Sequence, residues 1–253
     1  MRPADSRSSL GGSIVVRIWA LALSALLSAM LVGCDRGASS APEKAPASAA
    51  PAEPANVTDQ RLLNAQSEPS QWLTYGGTYS EQRFSGLKQI NRDTVKQLGI
   101  SWFADYDTNL QQTGTPLYID GVIYVSTAWS KVYAFDARSG KTLWQYNPKT
   151  PGEWIANVCC GIVNRGIAAY NGKIYLGTLD GRLVAIDAKT GKEAWSTLTV
   201  DKSQHYSITS APRIAKGKVF IGNSGGEYGV RGYIGAYDAE TGKPLWRFYT
   251  VPG

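Results

Sequence analysis

The chain has 253 residues, of which 43% are hydrophobic and 18% charged, enough for a sizeable core in one or two domains. Lys and Arg outnumber Asp and Glu by 26 to 20, but the basic residues are scattered and form no stripe, so we expect no nucleic-acid partner. Eight Trp, 14 Tyr and 27 Gly favour an all-β fold over a helical one.

Residues 1–34 have the composition of an export signal. Arg2, Arg7 and Arg17 form a basic flank, and residues 18–32 are almost uninterruptedly apolar. The stretch ends in Leu-Val-Gly-Cys, the form of a bacterial lipoprotein box. We therefore predict that Cys34 is acylated and anchors the protein to a membrane in the periplasm of a Gram-negative bacterium. The alternatives are a plain signal peptide and a transmembrane anchor, although the apolar run is short for a membrane span.

Residues 35–66 are rich in Ala, Pro, Ser and Glu and carry no apolar period, which is typical of a disordered tether. We expect the folded domain to cover residues 67–253. With Cys34 assigned to the lipid, the two remaining cysteines are the neighbours Cys159 and Cys160. An exported compartment is oxidising and permits a disulfide between them.

Residues 72–102 form an opening segment that contains no repeat. The residues Asn91-Arg-Asp-Thr-Val-Lys-Gln-Leu predict one or two helical turns capped by Asn91. The apolar residues that follow predict a strand that begins at Ile100.

Three copies of one motif then follow at a fixed period. Residues 132–144, 183–195 and 234–246 align without gaps, and their closing residues Trp144, Trp195 and Trp246 stand 51 residues apart. Each copy follows a short apolar run bounded by glycine, the pattern of strands joined by hairpins. A unit of roughly fifty residues that cannot bury both faces alone is typical of a β-propeller blade. Tandem hairpins in a sandwich are the alternative.

Three residue types of the motif each have an expected structural role. Its aspartate is suited to accept hydrogen bonds from backbone amides of the turn that follows. Its glycine supplies the positive φ that reverses the chain, and its tryptophan offers a large apolar plate to the next unit. These aspartates and glycines are Asp136, Asp187 and Asp238, and Gly140, Gly191 and Gly242.

The Ala-x-Asp-Ala-x-(Ser/Thr)-Gly-x-x-x-Trp repeat resembles the tryptophan-docking motif of the pyrroloquinoline quinone (PQQ)-dependent alcohol dehydrogenases. The stretches 75–85, 159–166 and 224–232 resemble further segments of that family, and the likeness runs from about residue 70 to the last residue. It implies a partial eight-bladed β-propeller with three to four blades. The signal segment and linker would precede this propeller.

The resemblance also implies cofactor contacts. Cys159 and Cys160 match vicinal cysteines whose disulfide ring covers one face of the quinone, and a reduced pair in a strand is the alternative. Arg165 matches an arginine that pairs with a cofactor carboxylate, which suits a guanidinium. The remaining expected contacts to the cofactor come from Thr209, Ser224 and Gly225.

Glu227 matches a carboxylate ligand of the Ca²⁺ that contacts PQQ, in keeping with oxygen ligation of this ion. Three positions depart from the family pattern. Thr113 replaces a glutamate that bonds the cofactor, for which Gln112 is a partial substitute. Gly161 replaces an aspartate, and Gly226 replaces an alanine, which is a mild change. His205, the one histidine, is expected at the surface.

For a complete protein the resemblance implies periplasmic oxidation of a primary or secondary alcohol, with electrons passed to cytochrome c. The catalytic aspartate and a second Ca²⁺ ligand belong to later blades in the family. We therefore expect this chain to be an inactive N-terminal part that lacks the base and, as an open arc of blades, to aggregate in isolation. No Cys-x-x-Cys-His is present, so haem c is expected only from a missing C-terminal part.

Two other functions stay open. Bacterial outer-membrane assembly lipoproteins include non-enzymatic propeller scaffolds with similar repeats, and the lipoprotein box and Thr113 favour that class. The cysteine pair and the residues around Arg165 and Glu227 favour the dehydrogenase. The product of a decayed or split gene is the third alternative.

Overall fold

Each sequence repeat forms one four-stranded antiparallel sheet in the computed structural model, which describes residues 53–253. In every sheet the strands lie side by side in chain order, so each sheet is a simple meander joined by hairpins. The all-β fold and the partial propeller predicted from the repeat are confirmed. The predicted export signal, its acylated Cys34 and most of the predicted tether lie outside the described residues.

The first blade consists of β1 (Leu117–Ile119), β2 (Val122–Ser126), β3 (Val132–Asp136) and β4 (Thr142–Tyr146). The second blade consists of β5 (Ala168–Tyr170), β6 (Lys173–Gly177), β7 (Arg182–Asp187) and β8 (Glu193–Leu198). The third blade consists of β9 (Arg213–Ala215), β10 (Lys218–Gly222), β11 (Tyr233–Asp238) and β12 (Pro244–Tyr249).

The core lies between the blades because the central strands are covered on both faces. In the second blade, β6 and β7 contribute Ile174, Tyr175, Leu183 and Ile186, and each is fully buried. The fourth strand of each blade is mostly exposed, which matches its position at the outer edge. Burial is nearly continuous along the central strands of the second blade, whereas β10 of the third blade alternates between buried and half-buried residues.

The turn before each outer strand is built as the motif predicts. In the second blade, the Asp187 carboxylate accepts a hydrogen bond from the Thr190 backbone amide at 2.7 Å, and the Gly191 amide bonds the Asp187 carbonyl at 2.9 Å. Gly191 has a φ of 71°. The other two blades repeat these contacts, and each of the three carries a β-bulge at the same place between its third and fourth strands.

The motif tryptophan docks on the turn of the following blade. The Trp144 indole nitrogen donates to the Ala188 carbonyl at 2.9 Å, and its ring lies on Gly191. Trp195 makes the same contacts with Ala239 and Gly242 in the third blade. One ring therefore joins each blade to the next through a large apolar contact and one hydrogen bond.

The packed domain begins earlier than the composition predicts. Residues 55–68, which we call the N-terminal strap, include the helix α1 (Asp59–Leu63), capped by the Thr58 hydroxyl. Ala55, Val57 and Leu62 are buried in the main core. The composition indicated a tether because the strap is polar overall, yet four of its apolar side chains, including Ala65, are buried in the main core.

The strap is bound to one hairpin of each blade. Arg61 pairs with Asp120 of the first blade at 2.8 Å. The Val57 carbonyl accepts from Asn171 of the second blade at 3.0 Å, and the Asp59 carboxylate accepts from the Lys216 amide of the third at 2.8 Å. A single short segment therefore fixes the spacing of three hairpins.

The opening segment is less regular than predicted. Asn91 does cap a turn, since its side chain accepts from the amides of Asp93 and Thr94, and the turn ends in a short 3-10 helix at Val95–Gln97. The strand expected at Ile100 is wrong: this stretch pairs with no neighbouring strand within residues 53–253. It is held instead by Trp102, which docks on Gly140 of the first blade and donates to the Ala137 carbonyl at 2.9 Å.

Among the helices of the described part of the chain, none is both long enough and apolar enough to cross a bilayer.

We predict that two glycine substitutions separate the contribution of the tryptophan contact to the free energy of unfolding from the cost of backbone strain. Gly191→Ala and Gly217→Ala both place a methyl group at a φ near 70°, but only the first meets an indole, at 2.7 Å from Trp144. Gly217→Ala should lower the free energy of unfolding by about 1–2 kcal/mol. Gly191→Ala should lower it by about 1–3 kcal/mol more. Urea unfolding measures both, and equal losses would contradict the docking role.

We also predict acid sensitivity from the turn carboxylates. Hydrogen bonds from the following hydroxyl and backbone amides hold the pKa of each carboxyl below its usual 3.8 in Asp136, Asp187 and Asp238. A lowered pKa in the folded state stabilises the fold above pH 3.8, and this stabilisation is lost as the pH falls through the folded values. Asp187→Asn should therefore show a shallower loss of stability in urea titrations across that window. An identical pH slope in wild type and variant would count against this role.

Candidate functional site

The candidate site lies where three chain segments meet ahead of the first strand of each blade. The Thr115 amide donates to the Arg165 carbonyl at 3.0 Å, and the Arg165 amide donates to the Thr209 carbonyl at 2.9 Å. The backbone at Arg165 is thus held on both sides by neighbouring blades. This arrangement follows from the stacking of the blades, which brings equivalent segments side by side.

A cavity of about 220 Å³ opens beside these segments. Six residues singled out from the sequence line it: Cys159, Cys160, Arg165, Thr209, Ser224 and Glu227. Gly225, the seventh, does not line the cavity. It is buried behind the wall, against the His205 carbonyl and Val230, and sets the path of the loop that carries Glu227.

The polar side of the cavity is a hydrogen-bonded chain of side chains. The Arg165 guanidinium donates to the Thr209 hydroxyl, which lies 3.0 Å from the Ser224 hydroxyl. Thr209 is buried, whereas Arg165 remains exposed to the cavity and to solvent. The Arg165 guanidinium keeps N–H groups that donate to no other group within the described residues, and two hydroxyls lie beside it. Such a group is suited to bind a carboxylate.

Ser207 is a polar lining residue that the sequence reasoning missed. It is 1% exposed, and its hydroxyl makes no hydrogen bond within the described residues. A buried hydroxyl without a partner costs free energy unless a ligand supplies one. The signal was present in the sequence, because Ser207 stands two residues before Thr209 and so faces the same side of an extended segment.

The cysteine pair forms another part of the cavity lining. The Sγ atoms of Cys159 and Cys160 lie against each other in the arrangement of a vicinal disulfide, with their Cα atoms 3.8 Å apart. Both residues are exposed toward the cavity. Buried Val158 and Val163 line the cavity beside them, so this wall presents sulfur and methyl groups to a ligand.

Two of the three departures from the family pattern, Thr113 and Gly161, contact neighbouring segments, whereas a side chain at Gly226 would meet open space. Gly161 leaves room for Gln111, since a side chain at residue 161 would meet the Gln111 amide oxygen at 2.7 Å. Gln112, named from the sequence as the substitute for the lost glutamate, instead donates to the Leu110 carbonyl. The Thr113 hydroxyl bonds the Asn164 carbonyl at 3.3 Å, so it supports the loop next to Arg165.

Glu227 is the one carboxylate among the residues that line this cavity. Within residues 53–253 there is no group of three or more His, Cys, Asp or Glu side chains placed to hold a metal ion. A cation bound at this cavity would therefore meet a single acidic side chain from the described part of the chain.

Asn164 anchors the loop that carries Arg165. It is 1% exposed, and its amide nitrogen donates to the Gly177 carbonyl at 2.8 Å and to the Ser130 hydroxyl at 3.3 Å. Its amide oxygen accepts from the Gly166 backbone at 3.1 Å. One side chain thus ties the loop to the first and second blades. Its burial next to charged Arg165 could not be read from the sequence.

His205 is exposed, as expected from the sequence. Its ring lies beside Tyr228 and its Nδ1 contacts the Asn157 side chain at the rim. It does not line the cavity.

The chain is similar to one enzyme family. Residues 72–253 match the PQQ family model described as "Glucose/ethanol/alcohol dehydrogenase, beta-propeller domain". The chain is 54% identical over 199 residues to the quinohemoprotein alcohol dehydrogenase ADH IIB of Pseudomonas putida, covering 79% of this chain and 29% of that protein. It is 52% identical over 169 residues to the 1-butanol dehydrogenase (cytochrome c) of Thauera butanivorans, covering 66% of this chain and 24% of that protein.

Solved structures agree with these matches. The quinohemoprotein alcohol dehydrogenase ADHIIG of Pseudomonas putida superposes with a TM-score of 0.78 at 53% identity, covering 79% of this chain and 29% of that one. A europium-containing methanol dehydrogenase superposes with a TM-score of 0.72 at 40% identity, covering 75% and 34%. The chain thus spans about a third or less of the length of these relatives.

We predict that Asn164→Ala destabilises the protein markedly. The substitution leaves the buried Gly177 carbonyl and Gly166 amide without partners, at about 1–3 kcal/mol for each. Asn147→Ala is the matched control, because exposed Asn147 also accepts one backbone amide hydrogen bond but lies away from the loop. It should cost less than about 1 kcal/mol. Denaturant unfolding compares the two, and equal losses would show that Asn164 is no special anchor.

Proposed function

This chain belongs to the PQQ-dependent alcohol dehydrogenase family, and from that membership we propose that its cavity forms one side of a PQQ-binding pocket in an alcohol-oxidising enzyme. The observation that carries the proposal is the convergence of Arg165, the unpaired Ser207 hydroxyl and the cysteine pair on one cavity. Because the chain spans less than a third of the alcohol dehydrogenase ADH IIB, oxidation of a primary or secondary alcohol is proposed for a propeller that includes further blades.

The donor set fits the chemistry of PQQ, a planar aromatic tricarboxylate. Arg165 offers a guanidinium for a carboxylate, and Thr209, Ser224 and Ser207 offer hydroxyls along the same wall. The sulfur and methyl wall formed by Cys159 and Val163 suits a flat aromatic face. We propose that the Cys159–Cys160 disulfide forms in the exported protein and provides this plate.

When bound, PQQ would accept two electrons and a proton equivalent from the alcohol, and Ca²⁺ would act as a Lewis acid. The residues of this chain bind and orient the cofactor. Arg165 neutralises a carboxylate, Thr209 fixes the guanidinium, and the cysteine pair excludes water from one face. Glu227 is proposed as one metal ligand.

The base that removes the hydroxyl proton is proposed to lie outside residues 53–253. Glu227 is the one carboxylate of the cavity in the described part of the chain, and its proposed role is to hold the metal. Our proposal that this chain alone is inactive rests on that assignment.

The relatives suggest the partners. One carries cytochrome c in its name and others are quinohemoproteins, so we propose that electrons leave to a cytochrome c, with haem c bound only if a further domain supplies it. We also propose that residues 1–34 are an export signal, that Cys34 carries a lipid and that the protein is anchored to a membrane in the periplasm. We also propose a tether after Cys34, ending where the strap begins. The scaffold alternative gains no support from these relatives, which are dehydrogenases.

We predict that the full chain quenches its tryptophan fluorescence on titration with PQQ, and that Arg165→Ala weakens binding roughly 10- to 100-fold. That range corresponds to the loss of a hydrogen bond to a charged group. Arg138→Ala is the control, since Arg138 is exposed in the turn between β3 and β4 and does not line the cavity, and it should bind as the wild type does. Cys159→Ser with Cys160→Ser should also weaken binding. Equal affinity of wild type and Arg165→Ala would refute the assignment of Arg165.

A further inference from the structure

Tyr75, in the opening segment, lies between two arginine side chains. The Arg83 guanidinium lies 4.4 Å from the centre of its ring, and the Arg213 guanidinium lies 4.3 Å from the same centre. The Tyr75 hydroxyl makes no hydrogen bond within the described residues, so the ring faces and not the hydroxyl account for its position. Two cations on one ring are stable only where the ring separates them and other groups balance the charge.

Each of these two arginines also contacts a residue other than Tyr75, and we call Tyr75 with Arg83 and Arg213 the stack. Arg213 pairs with Glu81 at 2.8 Å, which balances one of the charges. Arg83 donates to the Thr115 hydroxyl at 3.2 Å. Thr115 is the residue whose amide bonds the Arg165 carbonyl, so one arginine of the stack reaches the backbone support of the site.

The edge of the Tyr75 ring rests on the loop that carries Arg165. A methyl group on Gly166 would meet the ring at 3.0 Å, so the ring and the Gly166 backbone are in close contact. Tyr75, Arg165 and Arg213 also line one shared hollow. The ring therefore contacts the residue that follows Arg165 and borders the same hollow as Arg165 itself.

We propose that Tyr75 is a positioning residue for Arg165: stacked between Arg83 and Arg213, it presses on Gly166 and holds the arginine toward the cavity. The positioning is a property of this chain by itself. Its effect on PQQ affinity rests on the function proposed above. The opening segment, which contributes no residue to the cavity wall, would thus set the geometry of the cofactor pocket.

The direct test is hydrogen exchange at single backbone amides of the full chain, followed by NMR. The Arg165 amide exchanges only when its bond to the Thr209 carbonyl opens. Tyr75→Leu should speed exchange at Arg165 and Gly166 roughly tenfold, while amides of β6 exchange at the wild-type rate. Tyr75→Phe keeps both ring faces and should restore the wild-type rate.

Tyr249→Leu is the matched control. Tyr249 also stacks on an arginine, Arg231, at 4.0 Å, but lies on the outer strand of the third blade and touches no part of the site. Its removal should leave exchange at Arg165 unchanged. If Tyr75→Leu fails to fold, Arg83→Gln and Arg213→Gln each remove one face of the stack and should each speed exchange roughly threefold.

PQQ titration of the same variants separates the two proposals. If wild type binds PQQ, Tyr75→Leu should bind roughly tenfold more weakly and Tyr75→Phe equally well. If wild type does not bind PQQ while exchange at Arg165 still responds, the cofactor assignment fails and the positioning stands. Unchanged exchange at Arg165 in Tyr75→Leu, or an equal rise at Arg165 and in β6, would overturn the positioning role.

Discussion

The docking of a tryptophan on the glycine turn of the next blade is the contact on which the rest of the structure depends. A single twisted meander cannot bury both of its faces, and the indole supplies a broad apolar contact together with one donor for a turn carbonyl. Its constant spacing repeats the same docking contact between the first and second blades and between the second and third. The opening segment obeys the same rule through Trp102, although it forms no strand.

The candidate site is a product of this stacking. Because equivalent segments of neighbouring blades run side by side, backbone hydrogen bonds join Thr115 to Arg165 and Arg165 to Thr209. The site residues lie in the segments between strands, and these bonds tie the segments to one another. A cavity wall assembled from successive blades can therefore place a cation, hydroxyls and sulfur atoms around one ligand.

Much of the blade fold and of the candidate site could be predicted from the sequence, because the blade motif is local and repeated. Asp187, Gly191 and Trp195 act within one turn or on the next blade, so spacing alone reveals them. The resemblance then identified six of the lining residues. The two-residue spacing from Thr209 places Ser207 on the same side of the segment, but only the structure shows that its hydroxyl is buried without a partner among the described residues. That Gly225 lies behind the cavity wall depends on contacts with residues distant in sequence. The composition of the strap is that of a tether, and only its contacts with three hairpins show that it is part of the folded domain.

The strap also constrains the order in which the chain can fold. Its Asp59 bonds Lys216, which lies 157 residues further along the chain, whereas each blade is completed by contacts within its own repeat. Closing so long a loop is entropically costly before the intervening blades have formed. We therefore expect the Asp59–Lys216 contact to form only after the third hairpin, whereas the contacts of the strap with the first two hairpins need a shorter stretch of chain. An N-terminal segment bound in this way joins the first residues of the domain to its last blade, so a cut within the strap would release hairpins that are distant in sequence.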